Sequence, residues 1–316
     1  MQHKLAAITA VILAGGLGTR LRPVVSNCVK VLADVDGQPF IRFILDHLSV
    51  SGVKSVVLCA GYKGLDLENT LGASHAQMHL DYSHETSPLG TAGALRNALP
   101  FMCSDPLLVL NGDSVCTGDI AALLDRHLDK RAAASIMLVH QEDTRSYGRV
   151  DTDAEGRVTA FREKSDAEEP GWVNAGVYIL SRELIESIPE DRQVSLEKET
   201  FPAWIDRGLY AFQSGGALMD IGTPERYAAA PEFFRRYRRP VEAGGRHDYQ
   251  SNTVQTIVFG GRHRLSGVVY RTRRSSVGDD HQQVLLSDRP LSAALLRAQV
   301  QRRVVENRAP RDARRD

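Results

Sequence analysis

The chain has 316 residues, with 39 basic and 39 acidic side chains and 42% hydrophobic residues. That is the composition of an ordinary globular protein, long enough for one large or two smaller buried cores. No run of about 18 apolar residues exists to span a bilayer. The four cysteines, Cys28, Cys59, Cys103 and Cys116, form no C-x-x-C, which argues against a metal cluster or disulfide framework and fits a reducing cytoplasm.

Residues 5–14, following Lys4, have the outline of a short signal peptide. Cleavage there would destroy the glycine-rich segment that comes next, so a buried first strand is the expectation. The apolar run Val11-Ile12-Leu13-Ala14 ends in Gly15, Gly16 and Gly18, then delivers Thr19, Arg20, Arg22 and Lys30. Backbone N–H groups approach phosphate oxygens closely only where side chains are absent, and cations neutralise the charge. The segment is no dinucleotide fingerprint, because Leu21 stands where a third glycine belongs, and it is no Walker loop. A glycine-rich β–α turn without a ligand is the competing reading, and the two arginines weigh against it.

Residues 40–48 have helical spacing after Pro39, with Gly52 as a stop. Strand and helix then alternate: strand 55–60, helix 64–71, strand 78–82, helix 93–99, strand 107–110. This pattern predicts a doubly wound parallel sheet, with ligands beyond the carboxyl ends of its strands. The segment from His84 to Leu95 falls at a strand exit and a helix entry, where N–H groups face outward. Within it, Glu85 is an acceptor when ionised, and guanine offers adjacent N1–H and N2–H donors, so the residue favours GTP. Leu108-Val109-Leu110-Asn111-Gly112-Asp113 is an apolar strand ending in a carboxylate. Asp113 is either a turn cap or a ligand for Mg²⁺ on a polyphosphate.

A helix is expected over 118–130 and a strand over 134–139. Residues 149–150 and 158–161 flank Asp153-Ala154-Glu155-Gly156 as an antiparallel hairpin. Lys164 at a strand end reads, by itself, as a solvated charge. Residues 172–179 are extended, and Asn174 offers both donor and acceptor to a sugar hydroxyl, a buried structural asparagine being the alternative. Ser195 opens a helix with Glu197 in its first turn. Asp220 ends a strand before a helix starting at Pro224. It is a cap or, with Asp113, half of a metal site. Residues 1–239 carry 25 basic and 31 acidic side chains, whereas 240–316 carry 14 arginines, no lysine and 8 acids. A boundary near Pro240 follows. Beyond it a hairpin over 254–259 and 267–270 and a helix over 291–305 are expected. The arginines from Arg302 to Arg315 have no interleaved aromatics, which argues for a solvated tail over a nucleic-acid patch.

In chain order, L-A-G-G-L-G-T-R-L (13–21) with Lys30-Val31-Leu32, P-L-G-T-A-G (88–93), N-G-D (111–113), Y-G-R-V (147–150), F-R-E-K (161–164), N-A-G-V-Y (174–178), S-L-E-K (195–198) and D-I-G-T (220–223) resemble the sugar-1-phosphate nucleotidylyltransferases. The resemblance covers residues 8–236, with Val29 in place of the usual proline before the lysine. P-L-G-T-A-G is shared with guanylyltransferases for mannose and heptose 1-phosphates, and the overall pattern is most similar to those acting on D-glycero-α-D-manno-heptose 1-phosphate. The resemblance implies an α/β, Rossmann-like doubly wound, mostly parallel sheet of the nucleotide-diphospho-sugar transferase type, with an antiparallel sugar-binding portion.

It also implies roles. Leu13, Ala14, Gly15, Gly16, Gly18, Thr19, Arg20, Glu85, Pro88, Gly90, Thr91, Gly112 and Asp113 would contact the nucleotide. Tyr147, Gly148, Glu163, Lys164, Asn174 and Glu197 would contact the sugar phosphate. Arg20, Lys30 and Lys164 would be the catalytic cations, and Asp113 with Asp220 would hold Mg²⁺. Residues 1–239 would form the catalytic domain and 240–316 an Arg-rich extension of undisclosed role. The expected partners are a nucleoside triphosphate, GTP favoured, and a sugar 1-phosphate, with no nucleic acid or membrane; a homo-oligomer is compatible with the sequence. Acceptors based on mannose, glucose or cyclitol phosphates stay open. So does a regulatory sugar-nucleotide sensor, against which the retained cations and carboxylates argue. An NAD-dependent oxidoreductase is disfavoured by the missing glycine.

Overall fold

Near-continuous apolar runs dictate the centre of the fold, because a strand covered on both faces needs apolar residues at every position. In the computed structural model these runs are β1 (Thr9–Leu13), β2 (Ser55–Ala60) and β4 (Leu107–Asn111); with the more polar β3 (Met78–His84), which buries only Met78, Leu80 and Ser83, they pair in parallel in the order β4-β1-β2-β3. Successive side chains point to opposite faces. Ala10, Ile12, Val56, Leu58, Leu108 and Leu110 enter one core, whereas Val11, Val57, Cys59, Leu107 and Val109 enter the other. The structure describes residues 2–16, 18–21, 23–25, 29–61, 63–145, 147–162, 168–190, 192–237, 255–261, 264–271 and 283–285.

Helix α1 (Phe40–Ser51) buries Phe40, Ile41, Ile44, Leu45 and Leu48 at helical spacing, and Gly52 ends it with φ 95°. It packs on the first core, where Phe43 stacks on Phe234 with ring centroids 3.7 Å apart. Helix α2 (Gly64–Leu71) connects β2 to β3. Helix α3 (Gly90–Ala98) places Ala92, Leu95 and Ala98 in the second core. After β5 (Ser114–Cys116), helix α4 (Ile120–Lys130) starts from Asp119, whose carboxylate accepts the Ala122 N–H at 2.9 Å.

The remaining strands widen the sheet to ten. They are the short strand Ser74–His75 beside β3, β6 (Ala134–Gln141), β7 (Arg149–Thr152), β8 (Val158–Arg162), β9 (Gly171–Leu180) and β10 (Leu209–Ser214). The strand β9 runs antiparallel to β4, β6 and β7, while β10 is parallel to β6. Most strands share one direction; β8, β9 and the short Ser74–His75 segment oppose it. A short ribbon pairs β5 with β11 (Leu218–Asp220), and α5 (Pro224–Tyr237) follows.

Some boundaries differ from the sequence expectation. The first strand begins at Thr9, behind a helical turn at Gln2–Leu5, and α3 begins at Gly90, three residues before residue 93. The helix expected from Gly118 begins at Ile120 because Asp119 caps it. Ser195 caps a wide π-helical turn, Leu196–Thr200, instead of an ordinary first turn.

The chain divides into two units, Met1–Arg239 and Pro240–Asp316. In the second, strands Gln255–Gly261 and Arg264–Arg271 pair antiparallel, and Gln283–Leu285 pairs with the latter. The helix expected over 291–305 and the Arg-rich end lie outside the described residues. Among those described, no helix is long and apolar enough to cross a membrane.

Candidate active site

Parallel strands all end at one sheet edge, so whatever follows them converges there. Beyond β1, the Ala14 N–H donates to the Cys59 carbonyl at 3.0 Å, and the Gly112 N–H donates to the Leu13 carbonyl at 2.9 Å. The Glu85 N–H in turn donates to the Ala60 carbonyl at 3.1 Å. These bonds hold the exits of β1, β2, β3 and β4 side by side. Gly15 leaves room at this edge: a Cβ there would stand 2.6 Å from Glu85 Oε1, pushing the carboxylate aside, and 3.1 Å from the Gly61 nitrogen. Gly90 opens α3 with φ +72°, and its missing side chain would meet the Val194 carbonyl oxygen at 2.5 Å.

A cavity of about 610 Å³ opens at this edge. It is lined by Leu13, Ala14, Gly15, Gly16, Gly18 and Thr19 from the first loop, by Glu85, Pro88, Gly90 and Thr91 from the second, and by Lys30, Asn111 and Asp113. Glu85 is half-buried, its Oε2 accepting the Leu89 N–H at 3.1 Å. Burial pushes its carboxyl above the usual carboxylate range, the Leu89 hydrogen bond pulling the other way. Lys30 Nζ donates to Asp113 Oδ2 at 2.5 Å, with the lysine side chain only 11% exposed and the aspartate 42%. A nearly buried ammonium needs such a counter-charge, so the pair presents cation and carboxylate together at the cavity wall.

A second cavity of about 520 Å³ adjoins the first, and Asn111 and Asp113 line both. Its walls include Arg20, Tyr147, Gly148, Asn174, Glu197, Asp220 and Arg226. The β5–β11 ribbon sets Asp220 opposite Ser114, and the Ile221 N–H donates to the Asp113 carbonyl at 3.0 Å, so the two aspartates are neighbours across sequence. Asp220 Oδ2 accepts the Tyr147 hydroxyl at 3.0 Å, and Arg226 Nη1 reaches both carboxylate oxygens at 2.6 and 2.9 Å. Burial, with the Asp220 charge second, pushes the Tyr147 phenol up to about 12.

The donor set fits a hard divalent cation, which takes one or two carboxylates and completes its shell with phosphate oxygens and water. Asp113 and Asp220 would supply the carboxylates. Beside them the buried Asn111 Oδ1 has no hydrogen-bond partner among the described residues, an acceptor suited to a cation-bound water.

Most of the residues singled out from the sequence therefore line one of two adjoining cavities. Arg20 lines the second rather than the first, and Gly112 acts through its backbone. Glu163 and Lys164 lie outside the described residues. Glu197 faces the second cavity but is already engaged: it accepts Thr91 Oγ1 at 3.1 Å, Ser195 Oγ at 3.2 Å and the Tyr178 hydroxyl at 3.4 Å. Tyr178 is fully buried and also accepts Asn174 Nδ2 at 3.0 Å. A hydrogen-bonded chain thus runs from the first cavity's Thr91 to the second cavity's Asn174. Sequence reasoning missed Tyr178 as a link and missed Arg226 altogether. The signal for the arginine was a cation in the first turn of a helix, where the dipole disfavours one.

The Nucleotidyl transferase family model matches residues 9–236. The chain is 37% identical over 224 residues to a mannose-1-phosphate guanylyltransferase of Mycobacterium tuberculosis, covering 70% of this chain and 62% of that protein. It thus spans less than two thirds of the mycobacterial relative's length. It is 33% identical over 229 residues to the D-glycero-alpha-D-manno-heptose 1-phosphate guanylyltransferase of Aneurinibacillus thermoaerophilus, covering 72% of this chain and 99% of that one. Among solved structures, HddC from Yersinia pseudotuberculosis superposes with a TM-score of 0.66 at 34% identity, over 72% of this chain and 99% of that one. HddC has also been solved with GMP-PN.

Proposed function

The chain belongs to the nucleotidyl transferase family, whose members are nucleotidyltransferase enzymes, and from that premise we propose that it transfers GMP from GTP to a sugar 1-phosphate, releasing pyrophosphate. D-glycero-α-D-manno-heptose 1-phosphate is the acceptor we favour, because the heptose relative is matched over 99% of its length. Mannose 1-phosphate is the second reading, favoured by the 37% identity to the mycobacterial relative. The observation that carries the guanine assignment is Glu85, a carboxylate lining the first cavity between Gly15 and the Leu89 N–H. An ionised carboxylate accepts two donors side by side, which guanine's N1–H and N2–H provide.

In the reaction, an oxygen of the sugar phosphate bonds to the α-phosphorus of GTP. The bond from that phosphorus to the bridging oxygen breaks, and pyrophosphate leaves with the electron pair. The nucleophile is already an anion, so no general base is needed, and the protein's task is positioning and charge neutralisation. Lys30, beside Asp113 at the junction of the cavities, is assigned to the α-phosphate as negative charge shifts to the leaving group. Arg20 is assigned to the β- and γ-phosphates, and Lys164 to the incoming sugar phosphate. Asp113 and Asp220 would hold Mg²⁺, which when bound supplies neutralisation of oxygens on both reactants.

The test is pyrophosphate release with Mg²⁺, using ATP, CTP, GTP and UTP against heptose, mannose and glucose 1-phosphates. Turnover with GTP and the heptose or mannose ester is expected. Preference for a pyrimidine triphosphate would overturn the role given to Glu85, and the absence of turnover with every pair would overturn the acceptor class.

A further inference from the structure

Arg226 sits in the first turn of α5, where the helix dipole disfavours a cation. What holds it there is Asp220. One guanidinium nitrogen, Nη1, reaches both carboxylate oxygens, at 2.9 and 2.6 Å. The Gly222 N–H donates to Oδ1 at 2.8 Å and the Tyr147 hydroxyl to Oδ2 at 3.0 Å. Each oxygen therefore already accepts two hydrogens, which is its ordinary capacity. A divalent cation coordinated by Asp220 needs one of those positions. The Gly222 bond is local, closing a turn two residues on, and the Tyr147 bond is neutral. The guanidinium is the partner that a neighbouring divalent charge repels.

A displaced Arg226 stays within the second cavity. Its guanidinium lies over the Tyr147 ring, 4.5 Å from the centroid, and the ring provides a seat along which it can turn. The carboxylates around it are engaged: Asp113 by Lys30, Asp143 by Arg145, Glu225 by Thr223 and its own backbone N–H, and Glu197 by the hydroxyls of Thr91, Ser195 and Tyr178. The anion left for it is one that arrives from outside, in the cavity assigned to the sugar phosphate.

We propose that Arg226 has two stations: it closes the Asp220 carboxylate in the free protein, and it passes to the acceptor's phosphate when Asp220 takes up a divalent cation. The second station rests on the nucleotidyl-transfer reading above; the first does not. Metal occupancy and acceptor binding are then coupled through one side chain, since each favours the position of Arg226 that the other requires.

The experiment compares the wild-type protein with Arg226→Gln, which keeps a polar side chain of similar reach but removes the charge. Mn²⁺ titration of the nucleotide-free protein, followed by electron paramagnetic resonance, is expected to show binding about tenfold tighter in the variant. Adding Asp220→Asn to the variant should abolish that gain. In steady-state turnover, Arg226→Gln should raise KM for the acceptor about tenfold or more, the loss of a charge-assisted hydrogen bond, while KM for GTP holds. Arg226→Lys should recover part of the acceptor affinity. Equal or weaker Mn²⁺ affinity in Arg226→Gln, including no detectable binding to either protein, overturns the first station; an unchanged acceptor KM overturns the second. Should no sugar phosphate be turned over by the wild type, the functional reading fails on its own, and the Mn²⁺ titration still decides the closure of Asp220.

Discussion

Glu85 illustrates how a single side chain is set by its surroundings. Burial raises the proton affinity of its carboxyl, and only the ionised form accepts both donors of a guanine edge. Lowering the pH through that raised pKa protonates the acceptor, so KM for GTP is expected to climb as pH falls, while the profile of Glu85→Gln stays flat over the same range. The same substitution should raise KM for GTP by about one to two orders of magnitude, as expected for a hydrogen bond to a charged group. Lys30→Ala and Asp113→Ala should each lower kcat by about 10²–10³, the scale measured when one preorganised charge-stabilising group is lost; near-normal kcat in either would remove that residue from the mechanism. Asp113 was legible in the sequence because it stands just past the end of an apolar strand, and Glu85 because it lies in a strand-exit loop that resembles the base-binding loop of guanylyltransferases. The Thr91–Glu197–Tyr178–Asn174 chain was not, because Thr91 and Glu197 are 106 residues apart in sequence; Arg226 was not, because its contact with Asp220 crosses the turn between a strand and a helix, where no local period records it.

At the level of elements, apolar runs and helical spacing carried most of the reading. The runs in β1, β2 and β4 are buried on both faces, and Gly52 ends α1 in the left-handed region that glycine favours. The three-residue strands β5 and β11 are too short to show an alternation, yet their pairing sets Asp220 beside Asp113. Strand β10 escaped the sequence reading because its six residues carry no flanking motif, and it is held by parallel pairing to β6. The contact of α4 with β6 has a measurable consequence. His127 is 4% exposed and bonds Ser135 Oγ at 3.0 Å through Nδ1. Burial lowers its pKa to about 4, below the ordinary histidine value, although the charge of Asp105 opposes the shift. The unfolded chain therefore binds this proton first as the pH drops below about 6.5, and folding stability is lost progressively down to about 4, by roughly 3 kcal/mol in all. Urea denaturation across that window should show the decline, and His127→Gln, which cannot take the proton, should show less of it.

Across the whole molecule, the composition break at Pro240 coincides with the division into units Met1–Arg239 and Pro240–Asp316. Every described residue lining either cavity lies in the first unit. A chain ending after Arg239 is therefore expected to retain GTP turnover; loss of turnover in a folded truncation would give residues 240–316 a part in the chemistry. The parallel tract β4-β1-β2-β3 builds the first cavity, the antiparallel additions around β9 build the second, and Asn111 with Asp113 stand where they meet. On the proposed function, that arrangement is what would bring the two phosphorylated reactants together. That reading is tested most directly by labelling the phosphate of the best sugar 1-phosphate acceptor with ¹⁸O and following the label by mass spectrometry during turnover with GTP. All of the label is expected to stay in the GDP-sugar and none to enter pyrophosphate, because the sugar phosphate attacks the α-phosphorus intact. Label in pyrophosphate, or a guanylate product lacking the sugar's phosphate, would contradict it.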